Sequence, residues 1–213
     1  MALEVHEDLI KFICSGLECV DRILQGLITG TLLHSKVHTN LTINAGKLKF
    51  IPDIAHVIKT ISDPPIVTVP VIGEVALSQS RKDLFQRLRD TVDAFPDVQM
   101  LIVAFIKERT TYRAPKPRSQ AWRNLLSEEV ARSEYTFISN RTGPRSLERP
   151  TEIRVEGHTW CSISSVHFQV WVRGSGPIDI DTSDQGLTAI GVSSVNISTS
   201  RVPLIDFTTG NIP

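Results

Sequence analysis

Cysteine is scarce in this chain of 213 residues: there are three, Cys14, Cys19 and Cys161. The first two lie five apart on a stretch with helical period and the third is remote. That spacing excludes both the disulfide framework of a small secreted domain and a Cys-x-x-Cys zinc site. Reduced thiols of a cytosolic or nuclear protein are the expectation. Long apolar runs are missing too, with nothing near the roughly 18 to 20 residues of a membrane span. The chain opens on acidic Glu4, Glu7 and Asp8 instead of a basic leader, so the expected location is intracellular, with no membrane partner. Gly-x-Ser-x-Gly, Walker and Gly-x-Gly-x-x-Gly patterns are absent, and His34, His38, His56, His158 and His167 form no zinc-type pair on a helix. Hydrolase triads, nucleotide triphosphatases and dehydrogenases therefore have no foothold. There is no internal repeat or low-complexity tract, and the Asn-x-Ser/Thr triplets at Asn40, Asn140 and Asn196 are chance matches in a Ser/Thr-rich chain.

What is there is an ordinary globular composition, 41% hydrophobic and 22% charged, sufficient for one well-packed domain with an appendage. The formal net charge of zero hides an uneven distribution. Residues 109–154 hold ten basic and five acidic side chains, and Arg109, Arg113, Lys116 and Arg118 are interleaved there with Tyr112 and, further on, Trp122. A basic loop with aromatics fits contact with nucleic acid, through phosphate attraction and base stacking. It fits a solvated loop with a packing tryptophan equally well.

Apolar positions Leu9, Ile13, Leu17, Val20, Leu24 and Leu27 recur every three to four residues and predict an amphipathic helix over 3–28, ended by Gly26 or Gly30. Alternation then predicts a strand over 37–44. A second strand over 48–58 carries Pro52, which has no N–H for a ladder and so marks an edge or bulge that turns Asp53 out of the pleat. The nearly all-apolar run 66–77 predicts a strand buried on both faces. Ser78 or Ser80 caps a following helix with Leu84, Phe85, Leu88, Val92 and Phe95 on its inner face, and 98–106 is a fourth buried strand. Beyond these come a short helix over 121–132, strands over 152–155 and 160–172, a turn at 174–177 and a loosely ordered tail over 193–213. Asp179, Asp181 and Asp184 resemble the start of a calcium loop, but the glycine falls at Gly186 and the twelfth position is Ile190, so an EF-hand is excluded.

Two carboxylates stand out, Asp53 in Lys49-Phe50-Ile51-Pro52-Asp53-Ile54 and Glu74 in Gly73-Glu74-Val75-Ala76-Leu77-Ser78-Gln79-Ser80. Acidic side chains are poor strand formers and costly to bury, so their presence in apolar runs asks for a reason. A divalent metal supplies one, because two carboxylates on neighbouring strands can converge on a Mg²⁺ whose remaining ligands are water and a phosphate oxygen. The plainer reading is an aspartate at a strand bulge and a glutamate bonded to Ser78 or Arg81 beside a helix start.

With Pro52-Asp53 on the second strand and Glu74 on the third, the element order resembles the PD-(D/E)XK nuclease superfamily. Glu74-Val75-Ala76-Leu77-Ser78 is similar to the Glu-Val-x-x-Ser segment of some of its endonuclease branches. The resemblance covers about half of the chain. It implies an α/β (α+β) fold with a restriction endonuclease-like core over 1–108 in the order αβββαβ; the rest of the chain reads as a β-rich extension over 109–192 packed on the core and a tail over 193–213. It implies hydrolysis of DNA phosphodiesters with Mg²⁺ or Mn²⁺ held by Asp53 and Glu74, and a homodimer where two strands are cut. The lysine usual two residues after the glutamate is replaced by Ala76, so Lys82 on the next helix, by charge, or Gln79, as a water-orienting amide, takes that role. Glu7 or Glu18 on the first helix is a further candidate ligand. Ala76 equally suits a catalytically inactive interaction protein on the same scaffold, with residues 109–213 as its binding surface.

Overall fold

The computed structural model describes residues 2–27, 33–45, 48–77, 79–126, 152–182, 184 and 186–194. The chain opens with helix α1 (Ala2–Leu27) and strand β1 (Leu33–Thr39). A small hairpin, β2 (Ile43–Ala45) and β3 (Leu48–Phe50), precedes β4 (Ile54–Thr60) and β5 (Val67–Leu77). Helix α2 (Arg81–Ala94) leads to β6 (Met100–Glu108), followed by helix α3 (Gln120–Leu126). β7 (Glu152–Val155), β8 (His158–Val172) and β9 (Thr188–Ser194) complete the described fold. Seven strands form one mixed sheet in the order β1-β4-β5-β6-β8-β7, with β9 also paired to β8. The architecture is mixed α/β: β4 runs antiparallel to both β1 and β5, β5 and β6 run parallel, and β8 is antiparallel to β6.

The strand period of two places alternate residues on opposite faces and divides the core into two layers. Ile72 and Ala76 of β5, Leu101 and Val103 of β6, and Trp171 of β8 pack under Leu84, Leu88 and Val92 of α2. On the other face Val75, Ala104, Ile106 and Phe168 pack under Ile10 and Ile13 of α1. The parallel pair at the centre is therefore covered on both sides, as its near-continuous apolar sequence requires. Trp171 is fully buried and its indole N–H donates to the Ile180 carbonyl at 3.1 Å, which fastens the segment after β8 over the α2 layer. Arg89 of α2 grips Asp181 through two hydrogen bonds of 3.2 and 2.8 Å.

The predicted three-strand run differs in one respect. The expected strands over 37–44 and 48–58 are each broken, and the pieces 43–45 and 48–50 pair with each other as a separate hairpin. Asn40 breaks the first by adopting a left-handed φ of 52°, while Ile51, Pro52 and Asp53 lie between β3 and β4. Proline has no N–H for the ladder, so the strand begins only after it. The outermost strand, β9, lacks a strong apolar signal: Ile190 and Val192 are half exposed and Gly191 interrupts the pattern. The continuation of α3 to Arg132, the cap at Ser78, Cys161's side chain and the tail beyond residue 194 lie outside what is described. Among the described residues no helix is long and apolar enough to cross a membrane.

Leu101 is fully buried on β6 at the centre of the α2 layer. Leu101→Ala is expected to lower the unfolding free energy by about 2 to 5 kcal/mol. Ile190→Ala on the exposed face of β9 is expected to change it by less than about 1 kcal/mol, and chemical denaturation of the two variants checks the contrast.

Candidate functional site

Glu74 faces the α2 layer because it shares strand parity with Ile72 and Ala76. Its side chain is 3% exposed, and the Arg87 guanidinium of α2 donates to its Oε2 at 2.5 Å. The other carboxyl oxygen, Oε1, is buried and has no hydrogen-bond partner among the described residues. Burial is the largest influence on this group and, with Asp53 adding repulsion, pushes its pKa up to about 8 in spite of the opposing pull of Arg87. The short contact to Arg87 favours the ionised form and burial favours the neutral one. Burial prevails here because a single guanidinium nitrogen engages one oxygen while the other has no donor among the described residues.

Asp53 reaches the same place from the β3–β4 connection. Its Oδ2 accepts the Val75 N–H at 2.7 Å, and its own carbonyl accepts the Asn40 N–H at 3.2 Å. Gly73 makes that approach possible. Ile54, directly after Asp53, pairs with Gly73, and a Cβ on Gly73 would meet the Ile54 Cβ at 3.1 Å. A side chain there would push β4 away and with it the aspartate. Together Asp53, Glu74 and Gln79 line a cavity of about 320 Å³, which His6 of α1 and Arg87 of α2 also enter. The His6 Nε2 lies 3.6 Å from the Asp53 Oδ2 and its Nδ1 3.5 Å from the Glu7 Oε1. His6 Nδ1 and Arg87 Nε are, like Glu74 Oε1, buried without a hydrogen-bond partner among the described residues.

No family model, curated protein or solved structure matches this chain. The chemistry of the site has to be read from its own residues. Three of the four residues expected from sequence to carry it, Asp53, Glu74 and Gln79, come together. The fourth, Lys82, is exposed on the first turn of α2 and does not line the cavity. The cation that does is Arg87, one and a half turns further along the same helix, and it takes the contact with Glu74 expected of Arg81, while Ser78 lies outside the described residues. Arg81 instead lies over the rings of Phe85 and Phe105, at 5.1 and 5.6 Å. Ser80 is the helix cap, accepting the Asp83 N–H at 3.1 Å. Glu7 contributes through His6, and Glu18 is exposed outside the cavity. His6 had no sequence signal of its own, since only its place on α1, one helical turn before Ile10, brings it over Asp53.

Among the described residues no group of three or more His, Cys, Asp or Glu side chains is arranged to hold a metal ion. Two carboxylates nevertheless suit Mg²⁺ or Mn²⁺, ions bound through one or two carboxylates with water and substrate phosphate completing the shell. The open Oε1 of Glu74 is the acceptor such an ion requires. Another constellation at first resembles a catalytic triad: Ser35 Oγ contacts the His56 Nε2, which is 3.5 Å from the Asp21 Oδ1. Both partners meet the same ring nitrogen, whereas a relay needs one on each, so this group ties α1 to β1 and β4 and is not a nucleophile site.

The buried Glu74 sets a pH dependence of stability. Its folded pKa of about 8 lies above the ordinary 4.5, so the folded protein holds a proton that the unfolded chain releases. The associated stability is complete below pH 4.5 and is lost as the pH rises through about 8. Glu74→Gln is expected to remove this loss, an effect of up to about 5 kcal/mol at roughly 1.4 kcal/mol per pKa unit. Comparing urea midpoints of the two proteins across that window measures it.

Proposed function

We propose that this protein hydrolyses DNA phosphodiesters with the help of a divalent cation held by Asp53 and Glu74. The observation that carries this reading is the convergence of the two carboxylates, from separate segments, on one cavity that also holds a cation and a histidine. The fold supports it. The succession α1, β1, β4, β5, α2, β6, with β5 antiparallel to β4 and parallel to β6, resembles the αβββαβ order expected of a restriction endonuclease-like core when the β2–β3 hairpin is taken as an insertion. Held by Asp53 and Glu74, Mg²⁺ or Mn²⁺ would supply polarisation of the phosphodiester and a more acidic water.

The residues around the cavity divide the remaining work. Arg87 supplies the positive charge that Ala76 cannot. Because a guanidinium is not deprotonated in proteins, it stabilises charge on the phosphate and takes no proton. His6 is the group in the cavity able to accept a proton from the attacking water. Gln79, exposed at the opening, orients that water through its amide. A homodimer would place two such sites on the two strands of a duplex. The second reading, a catalytically inactive interaction protein, is favoured by one observation: Ala76 is buried in the α2 layer and Arg87 is engaged with Glu74.

Cleavage of DNA in the presence of Mg²⁺ or Mn²⁺ separates the two. Asp53→Asn and Glu74→Gln are each expected to reduce the rate by at least about 100-fold. Arg87→Ala is expected to reduce it by about 100- to 1000-fold, the effect of deleting one transition-state donor. Lys82→Ala should leave it unchanged. Equal rates in all variants would assign the activity to a contaminant, and no cleavage by any of them selects the inactive reading.

A further inference from the structure

A second, larger cavity of about 560 Å³ opens where the chain leaves β6 and where it enters β8. Leu77 of β5 pairs with Ile106 of β6, so Gln79 of the carboxylate site and Glu108 of this cavity leave the sheet at the same end of the parallel pair. One wall is Tyr112 and Arg113. The other is His158 and Trp160, neighbours in space at a register shift of β8. The walls are fixed to each other: the Arg109 N–H donates to the Ser162 carbonyl at 2.7 Å, and the Ser164 hydroxyl donates to the Lys107 carbonyl at 2.9 Å. Glu156 and Gly157, with φ of 53° and 74°, form the two-residue hairpin turn that starts β8 at His158.

The rings meet edge to face. Tyr112 and His158 have centroids 6.2 Å apart at 82°, and His158 and Trp160 are 4.9 Å apart at 86°. Tyr112 is 48% exposed at the opening, so part of its ring surface is open to solvent. The His158 Nε2 is buried and without a hydrogen-bond partner among the described residues, a polar group among the rings. Arg113 lines the cavity, while Arg109, Lys116 and Arg118 are exposed on the same stretch. Aromatic faces alone would suit a quaternary ammonium, and Glu108 offsets Arg113 in the lining, but Arg109, Lys116 and Arg118 leave the stretch 108–118 with a net positive charge that attracts phosphate.

We propose that this cavity receives an unpaired nucleobase, so that the protein engages single-stranded segments of nucleic acid beside the carboxylate site. The base stacks on Tyr112, the His158 ring nitrogen meets its polar edge, and Arg113 pairs with the adjoining phosphate. As a statement of substrate class this rests on the nuclease reading; as a statement of binding it does not need catalysis.

The test is therefore made in chelator with Asp53→Asn protein, using fluorescence anisotropy of a short labelled single-stranded DNA and of its abasic counterpart with the same phosphates. The base-bearing strand is expected to bind about 5- to 100-fold more tightly than the abasic one, the range for loss of one aromatic–base stack. Tyr112→Ala should abolish most of that difference and Tyr112→Phe should keep it. Arg113→Ala should weaken both strands alike. Tyr112 is an exposed loop residue, so its variants test binding without threatening the fold. Equal affinity for the two strands, an unchanged preference in Tyr112→Ala, or binding of a trimethyl-lysine peptide in place of DNA overturns the proposal. Absent cleavage under metal would contradict the nuclease reading and leave this result standing, and a lost base preference would do the reverse.

Discussion

Everything at the candidate site follows from one unfavourable fact, a carboxyl group set into the covered face of the central parallel strand pair. Glu74 occupies a position that its neighbours Ile72 and Ala76 fill with apolar side chains. Removing an ionised carboxylate from water costs several kcal/mol unless a charge or hydrogen bonds compensate. The protein compensates only in part. Arg87 reaches across from α2 to one oxygen, the other has no donor among the described residues, and the group retains a proton to about pH 8. An arrangement so incompletely satisfied is unusual in a core selected for packing alone, and it is the condition in which a carboxylate will exchange a proton for a cation.

The surrounding fold brings further polar groups to the same point. Gly73 lets β4 lie close against β5, Pro52 delays the start of β4, and Asp53 is left in the short connection with its carboxylate on the Val75 N–H. The two helices cover opposite faces of the sheet, yet each sends one side chain into the cavity, His6 from α1 and Arg87 from α2. The aromatic cavity past the end of β6 lies at the same end of the sheet as this group. Ligands of open α/β sheets commonly sit beyond the carboxyl ends of parallel strands, where loops are free to vary while the strands hold them rigidly.

Much of this was legible in the sequence because it depends on short-range pattern. The helical period of residues 3–28, the all-apolar run leading to Glu74 and the Ser80 cap each reported a real element, and the pairing of Asp53 with Glu74 followed from two carboxylates out of place in apolar runs. What was not legible depends on distant geometry. Lys82 and Arg87 are both cations on α2, and only the turn of the helix decides which one faces Glu74. His6 lies 47 residues before Asp53 and meets it only because α1 packs across the sheet. The aromatic wall joins Tyr112 to His158 and Trp160 from strand partners that no local periodicity relates. β9 escaped notice because an outer strand with one solvated face and an internal glycine carries little apolar signal.

The central claim, that Asp53 and Glu74 are a cation-binding pair, is tested most directly by soaking crystals of the protein in Mn²⁺ and recording anomalous diffraction. The account predicts a single strong peak in the cavity at about 2.1 Å from a carboxylate oxygen of each residue, the Mg²⁺-type bond length, with Glu74 Oε1 among them. A cavity without a peak, with Arg87 still in contact with Glu74, would contradict it.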